Sequence, residues 1–202
     1  MTKQFHDNVL SNDALEQLFL EARSYNGWHD KDVSEEQIRK IYDLLKMGPT
    51  SANSQPSRMI WCKSKDAKEK LAEFASDQNK DKVRTAPVCV IIGYDIDFHE
   101  ELPWLFPHAD AKSWFEGDEE ARKTNAARNS ALQGAYLMLA ARAVGLDCGP
   151  MSGVDLDKVT QHFFADDPKV KADWICSIGY GDKDTIFDRS PRPEFAKFNQ
   201  IL

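Results

Sequence analysis

Apolar residues recur at helical spacing in several stretches of the chain. Leu15, Leu18, Phe19 and Ala22 lie three or four apart, which predicts a helix over residues 13–24 that stops near Asn26-Gly27. Ile38, Ile41, Tyr42 and Leu45 line one face of a second helix over residues 34–46. Ser34 and Gln37 have capping-box spacing at its start, and Gly48-Pro49 stops it. A third helix is predicted over 66–76, with Leu71 and Phe74 inward, and a fourth over 155–164. Between 119 and 144 the pattern changes to alanine: Ala126, Ala127, Ala131, Ala135, Ala140, Ala141 and Ala143. Small residues let neighbours approach closely, so this long helix is expected to be buried over much of its surface, within the domain or at a dimer seam. Gly145 ends it. Strands are predicted at Met59–Cys62, Pro87–Tyr94 and Trp174–Ile178. The second is uninterruptedly apolar, as a central strand covered on both faces would be.

Three segments fit neither period. Residues 95–118 mix Phe98, Trp104, Phe106, Trp114 and Phe115 with acids and two prolines, and suit an excursion that covers something. The tail 187–202 has cations, prolines and apolar residues but no compact element, and is expected to pack on a partner. Gly48-Pro49-Thr50-Ser51-Ala52-Asn53-Ser54-Gln55-Pro56 packs Thr50, Ser51 and Asn53 into four positions between a helix end and a strand. Prolines stiffen both flanks. Such a loop is either a ligand cradle or ordinary turn chemistry.

Length narrows the organisation to one domain over residues 1–202, with a core drawn from 42% hydrophobic residues. A net charge of −7 argues against a nucleic-acid binder, which needs a basic face. Cys62, Cys89, Cys148 and Cys176 lack ligand spacing and suit small buried thiols in a reducing compartment. Met1–Asn8 has no apolar leader core, and no run reaches the ~18–20 apolar residues of a membrane span, so a cytoplasmic location is expected. His108 and Asp110 are spaced like a metal pair, but no third ligand follows, and no metal is expected.

Five segments in this order carry a resemblance. They are Ala22-Arg23-Ser24-Tyr25-Asn26-Gly27-Trp28, Gly48 to Asn53, Leu105-Phe106-Pro107-His108, Gly145 to Gly153, and Ile178-Gly179-Tyr180-Gly181-Asp182. Over essentially its whole length the chain resembles the FMN-dependent nitroreductase family, and within it the malonic semialdehyde reductases of pyrimidine utilisation. The resemblance implies an α+β sandwich: a mostly antiparallel sheet flanked by helices, with a long central helix. It also implies a homodimer with two FMN sites at the interface and an exchanged C-terminal tail.

The resemblance assigns roles by position. Arg23 and Ser24 match phosphate contacts, although Ala22 replaces the first arginine of the family pattern. Asn26 stands where many members carry a basic residue near the flavin pyrimidine. Thr50, Ser51 and Asn53 match the loop that contacts the ribityl chain and ring edge, from the partner subunit. Asn79 and Lys82 match the segment on the isoalloxazine edge, where a cation would favour the reduced ring; Lys82 could equally be a surface lysine. Pro150, Met151, Ser152 and Gly153 match the segment along the flavin face, with Met151 equally explained as core. Arg189 matches a late phosphate arginine and Arg192 is a second cation, unless both belong to a solvated tail. His108 either orients a substrate oxygen or is an ordinary surface histidine. No side chain is expected to act as a covalent catalyst, since the flavin carries the chemistry.

The expected reaction is hydride transfer from NADH or NADPH through FMN to a small aldehyde, malonic semialdehyde giving 3-hydroxypropanoate. Reduction of nitroarenes or quinones, and a non-catalytic flavin-binding scaffold, are the alternatives.

Overall fold

The computed structural model describes residues 8–202. Met1–Asp7, most of the stretch read above as lacking a leader, lie outside the described residues. Twelve regular elements follow one another. They are α1 (Asn12–Leu15), α2 (Glu35–Leu45), β1 (Ser57–Cys62), α3 (Lys65–Phe74), α4 (Asp77–Thr85), β2 (Val88–Asp95), α5 (Leu102–Leu105), α6 (Glu119–Ala143), β3 (Asp147–Met151), α7 (Leu156–Phe163), β4 (Val170–Gly179) and α8 (Phe195–Phe198). The strands form one antiparallel sheet in the order β1-β2-β4-β3.

β2 lies inside the sheet because both its faces are apolar. Val88, Val90 and Ile92 point to one core with Ile41 and Leu45 of α2 and Leu137, Ala140 and Ala141 of α6. Cys89 and Ile91 point to the other, with Leu71 and Ala72 of α3, Val83 of α4 and Val159 of α7. The alternation is the strand's own period of two. All four cysteines are buried thiols in these strands. Burial pushes the Cys62 and Cys89 thiols up to about 12, which keeps them protonated near neutral pH.

The long helix keeps its predicted length. Asp118 caps it by accepting from Ala121 N at 2.9 Å, and Gly145 follows its end with a φ of +79°. Its inner face includes Ala126, Asn129, Gln133, Gly134 and Leu137, whereas Leu132 and Tyr136 remain exposed. At Gly134 a Cβ would stand 2.2 Å from Trp174 Cζ2 of β4. Gly134→Ala gains ~1 kcal/mol of helix propensity but incurs ~1–3 kcal/mol of overpacking. The variant is therefore expected to be less stable in a urea melt. An unchanged or higher midpoint would show that Trp174 moves aside.

Several elements differ from their sequence reading. The first helix gives way to a π-helical turn, Glu16–Leu20, and stops before residue 24. There the chain turns extended: Ser24 bridges Cys148, and Tyr25 N donates to Cys148 O at 3.1 Å. Of the expected inward face, Leu15, Leu18 and Ala22 are half-buried, whereas Phe19 is 52% exposed and has no full cover within the chain. Tyr42 of α2 is likewise exposed. α4 is an element the sequence pattern does not predict, because only Val83 of this polar helix is buried. β3 carries Gly149-Pro150, residues that argue against a strand, and tolerates them because it is an edge strand with Pro150 exposed. The excursion folds as three short helical pieces around Phe98, Leu102, Ala111 and Ala126. Among the described residues, no helix is long and apolar enough to cross a membrane.

Candidate functional site

The edge of the sheet at β3 gathers most of the nominated residues. Arg23-Ser24 runs beside the start of β3, and the tail folds over it. Arg23 Nη2 donates to Phe187 O, and Arg189 Nη2 donates to Leu20 O at 2.6 Å. The result is a polar cavity of about 380 Å³ lined by Arg23, Ser24, Arg142, Asp188, Arg189 and Arg192 among others. Arg142 enters it from the last turn of α6, donating from Nη1 to Leu18 O at 3.0 Å. Arg192 bends back onto the carbonyls of Ser190 and Pro191.

Four of the five arginines outside this cavity are compensated. Arg39, Arg58, Arg84 and Arg122 each pair with a carboxylate. The four guanidiniums of the cavity bond to backbone carbonyls, and none has a carboxylate within ion-pair distance among the described residues. In a protein of net charge −7, four convergent guanidiniums against the single carboxylate of Asp188, beside a serine hydroxyl, leave a cationic donor set suited to a phosphate.

The far end of β3 is built differently. The Gly153 carbonyl accepts from Ser76 N at 3.0 Å and Asn79 Nδ2 at 3.1 Å. A Cβ on Gly153 would meet Asn79 Nδ2 at 2.7 Å, so a larger residue would disturb this join. Asn79 thereby positions the segment. Pro150, Ser152 and Gly153 are exposed, whereas Met151 is 8% exposed and packs in the core, the second of its two readings. Lys82 lies three residues beyond Asn79 on α4, on the same helix face. Its carbonyl accepts from Trp28 Nε1 at 3.2 Å and Ser177 Oγ at 3.1 Å, which fixes the backbone. Lys80 pairs with Asp77, but Lys82 Nζ has no partner among the described residues. Asn26 donates to Thr185 O at 2.9 Å and so anchors the strand-to-tail turn.

The Thr50–Gln55 loop is strained. Ala52, Asn53 and Gln55 have φ values of 49°, 50° and 41°. Left-handed non-glycine residues cost ~1–3 kcal/mol each and persist where surroundings hold them. Here α6 holds them: Asn129 Oδ1 accepts from Ser51 N at 2.8 Å, and Gln133 Nε2 donates to Gln55 Oε1 at 2.6 Å. Thr50 Oγ1 accepts from Gln55 N at 3.2 Å. Asn53 Nδ2 donates to Leu105 O at 2.9 Å and ties the aromatic excursion to the loop. Beside it lies a cavity of about 640 Å³, lined in part by Tyr42, Gln55, Arg58, Trp61 and Trp104.

The sequence profile described as the Nitroreductase family matches residues 20–182. The chain belongs to the nitroreductase family. It is 51% identical over 195 residues to a provisionally named NADH dehydrogenase/NAD(P)H nitroreductase of Polynucleobacter asymbioticus, covering 96% of this chain and 99% of that protein. A relative of the same provisional name from Stenotrophomonas maltophilia is 53% identical over 188 residues, or 93% of this chain and 95% of its own. Among solved structures, a provisional nitroreductase from Exiguobacterium sibiricum, described in complex with FMN, superposes with a TM-score of 0.83. It is 22% identical, over 96% of this chain and 99% of that one. The fold is therefore nitroreductase-like: an antiparallel sheet flanked by helices.

Within one nitroreductase chain the loop and the β3 edge stay apart. Met151 faces Ile175, Ile175 faces Ile91, and Ile91 faces Ile60. Three strand spacings put β1 about 14 Å from β3, and the loop precedes β1 at Ser57, further along the sheet. Arg23, Ser24, Arg189 and Arg192 thus share one cavity, and Asn79, Lys82 and Gly153 share one corner. Thr50, Ser51 and Asn53 belong to neither. His108 is exposed, with its ring edge-on to Phe106 at 5.4 Å, and lines neither cavity. No group of three or more His, Cys, Asp or Glu side chains that could hold a metal occurs among the described residues. Arg142, Gln55, Asn129 and Gln133 were not nominated from the sequence. Asn129 and Gln133, polar and four apart on an alanine-rich helix, carried a readable signal; Arg142 carried none.

Proposed function

We propose that this protein is an FMN-dependent NAD(P)H oxidoreductase whose acceptor is a small aldehyde, malonic semialdehyde, reduced to 3-hydroxypropanoate. One observation carries the flavin assignment: a cavity of four arginines, none of them ion-paired among the described residues, at one end of β3 and an exposed glycine-lysine corner at the other. Cys148 to Gly153 spans about 16 Å of extended chain, a separation that suits a phosphate joined through a ribityl chain to a flat ring. Bound FMN supplies hydride acceptance from the nicotinamide and hydride donation to the acceptor.

The protein's own residues orient and tune that group. Arg23, Ser24, Arg189 and Arg192 hold the phosphate. The exposed backbone at Ser152-Gly153 lets a ring approach closely, and Asn79 keeps that backbone in place. The Lys82 ammonium favours the negative charge that reduction brings. The aromatic excursion excludes water from the acceptor side. Thr50, Ser51 and Asn53 reach the ring edge only from a second subunit, given their distance from β3 in one chain.

A homodimer therefore belongs to the proposal. Phe187, Phe195, Phe198 and Ile201 of the tail are 59–85% exposed, and Leu132 and Tyr136 of α6 are also uncovered. Apolar groups on this scale suit burial against a second copy. Purified protein is expected to be yellow, to release FMN on denaturation, and to sediment as a dimer on dilution. Release of FAD, or a monomer that retains FMN, would each remove its part of the proposal. The acceptor is decided by kcat/KM for malonic semialdehyde against nitrofurazone, with NADH and with NADPH. The relatives' names favour nitro compounds as the second reading, and a preference for nitrofurazone would select it.

A further inference from the structure

We propose that Arg142 is a phosphate-binding residue of the flavin site, delivered to the arginine cavity by the end of the central helix. The inference rests on the FMN reading above and adds a residue from a different element. Arg142 is half-buried on the cavity wall, and it is anchored twice. Its Nη1 donates to Leu18 O at 3.0 Å, and its own carbonyl accepts from Gln17 Nε2 at 2.6 Å. These two bonds strap the π-helical turn to the end of α6 and fix where the guanidinium points.

A guanidinium has five N–H donors. Arg142 uses one of its nitrogens on Leu18, which leaves the rest of the fork for a ligand. It has no carboxylate partner among the described residues, unlike Arg122 at the other end of the same helix, which meets Asp97. Ala22, also on the cavity wall, offers neither charge nor donor. The other cations arrive from the segment after α1 and from the tail, whereas Arg142 stands on a 25-residue helix built into the core. A cation on a rigid element loses little freedom when a phosphate arrives, so little of its contact with the phosphate is offset by ordering.

The test separates phosphate from ring. FMN and riboflavin share the ring and ribityl chain and differ in the phosphate. Apoprotein is titrated with each, following flavin fluorescence, for the wild type and for Arg142→Gln, Arg142→Lys and Arg189→Gln. Arg142→Gln is expected to weaken FMN about ten- to a hundred-fold and leave riboflavin unchanged. Arg142→Lys keeps the charge but loses the fork, and should fall between wild type and Arg142→Gln for FMN alone. Melting curves of each apoprotein check folding, and Arg142→Lys decides the matter if Arg142→Gln does not fold. Equal loss of FMN and riboflavin, or no loss, in the folded Arg142 variants would overturn the proposal. If Arg189→Gln discriminates FMN from riboflavin and the Arg142 variants do not, only Arg142 is misassigned. If none of the three discriminates, the phosphate does not occupy this cavity and the site reading itself fails.

Discussion

Arg189→Ala is expected to weaken FMN binding by ~1.5–3 kcal/mol, the range for a hydrogen bond to a charged group. That is roughly ten- to a hundred-fold in dissociation constant. Turnover at saturating FMN should be nearly unchanged, because the phosphate end lies far along β3 from the ring corner. Two roles of Arg189 have to be separated. Its guanidinium also donates to Leu20 O at 2.6 Å and Ala22 O at 3.4 Å, so it holds the tail against the segment after the first helix. Loss of the tail anchor lowers the melting midpoint of the apoprotein, whereas loss of a phosphate contact alone weakens FMN and leaves that midpoint unchanged. FMN affinity equal to wild type would remove Arg189 from the site.

Lys82→Ala is expected to act at the opposite end. The variant should retain most of its FMN affinity but show a lower flavin midpoint potential and slower reduction by NAD(P)H. A lost charge-assisted contact of ~1–3 kcal/mol corresponds to about 20–60 mV for a two-electron couple. The substitution is clean because the backbone carbonyl of Lys82, not its side chain, accepts from Trp28 and Ser177. Alanine keeps both bonds and α4 with them, so the ammonium alone is removed. Potentiometric titration and the reductive half-reaction read the two effects. Unchanged values in both would make Lys82 a surface lysine, and the ring-edge cation would have to be sought elsewhere.

What lay within reach of the sequence was local. The capping box of α2 forms as Ser34 and Gln37 imply, with bonds of 3.0 and 3.1 Å, because it joins groups three residues apart. The length of α6 follows from its alanines, its Asp118 cap and Gly145. β2 lies inside the sheet because the seven successive positions 88–94 leave no polar face to turn to water. The strained loop was legible too, as a density of small polar residues between two rigid flanks. Its left-handed backbone was not, since Ala52 and Gln55 adopt it only because Asn129 and Gln133 of α6 hold the loop there.

Other features depended on contacts between distant segments. The first helix stops early because Ser24 finds an edge partner at Cys148, more than a hundred residues away in the chain. Phe19 and Tyr42 have helical spacing but no cover within one chain, since periodicity reports which residues share a face and not what faces them. α4 and β3 escaped notice for matching reasons: a polar helix with one buried residue and an edge strand containing Gly-Pro show no strong period. The site divides the same way. Arg23, Ser24, Arg189 and Arg192 could be nominated one by one from short motifs. Their convergence with Arg142, and the absence of any carboxylate partner for the four guanidiniums among the described residues, is a property of the assembled cavity. Motifs are local in the chain, but electrostatic compensation is local in space, and only the tertiary structure decides which charges become neighbours.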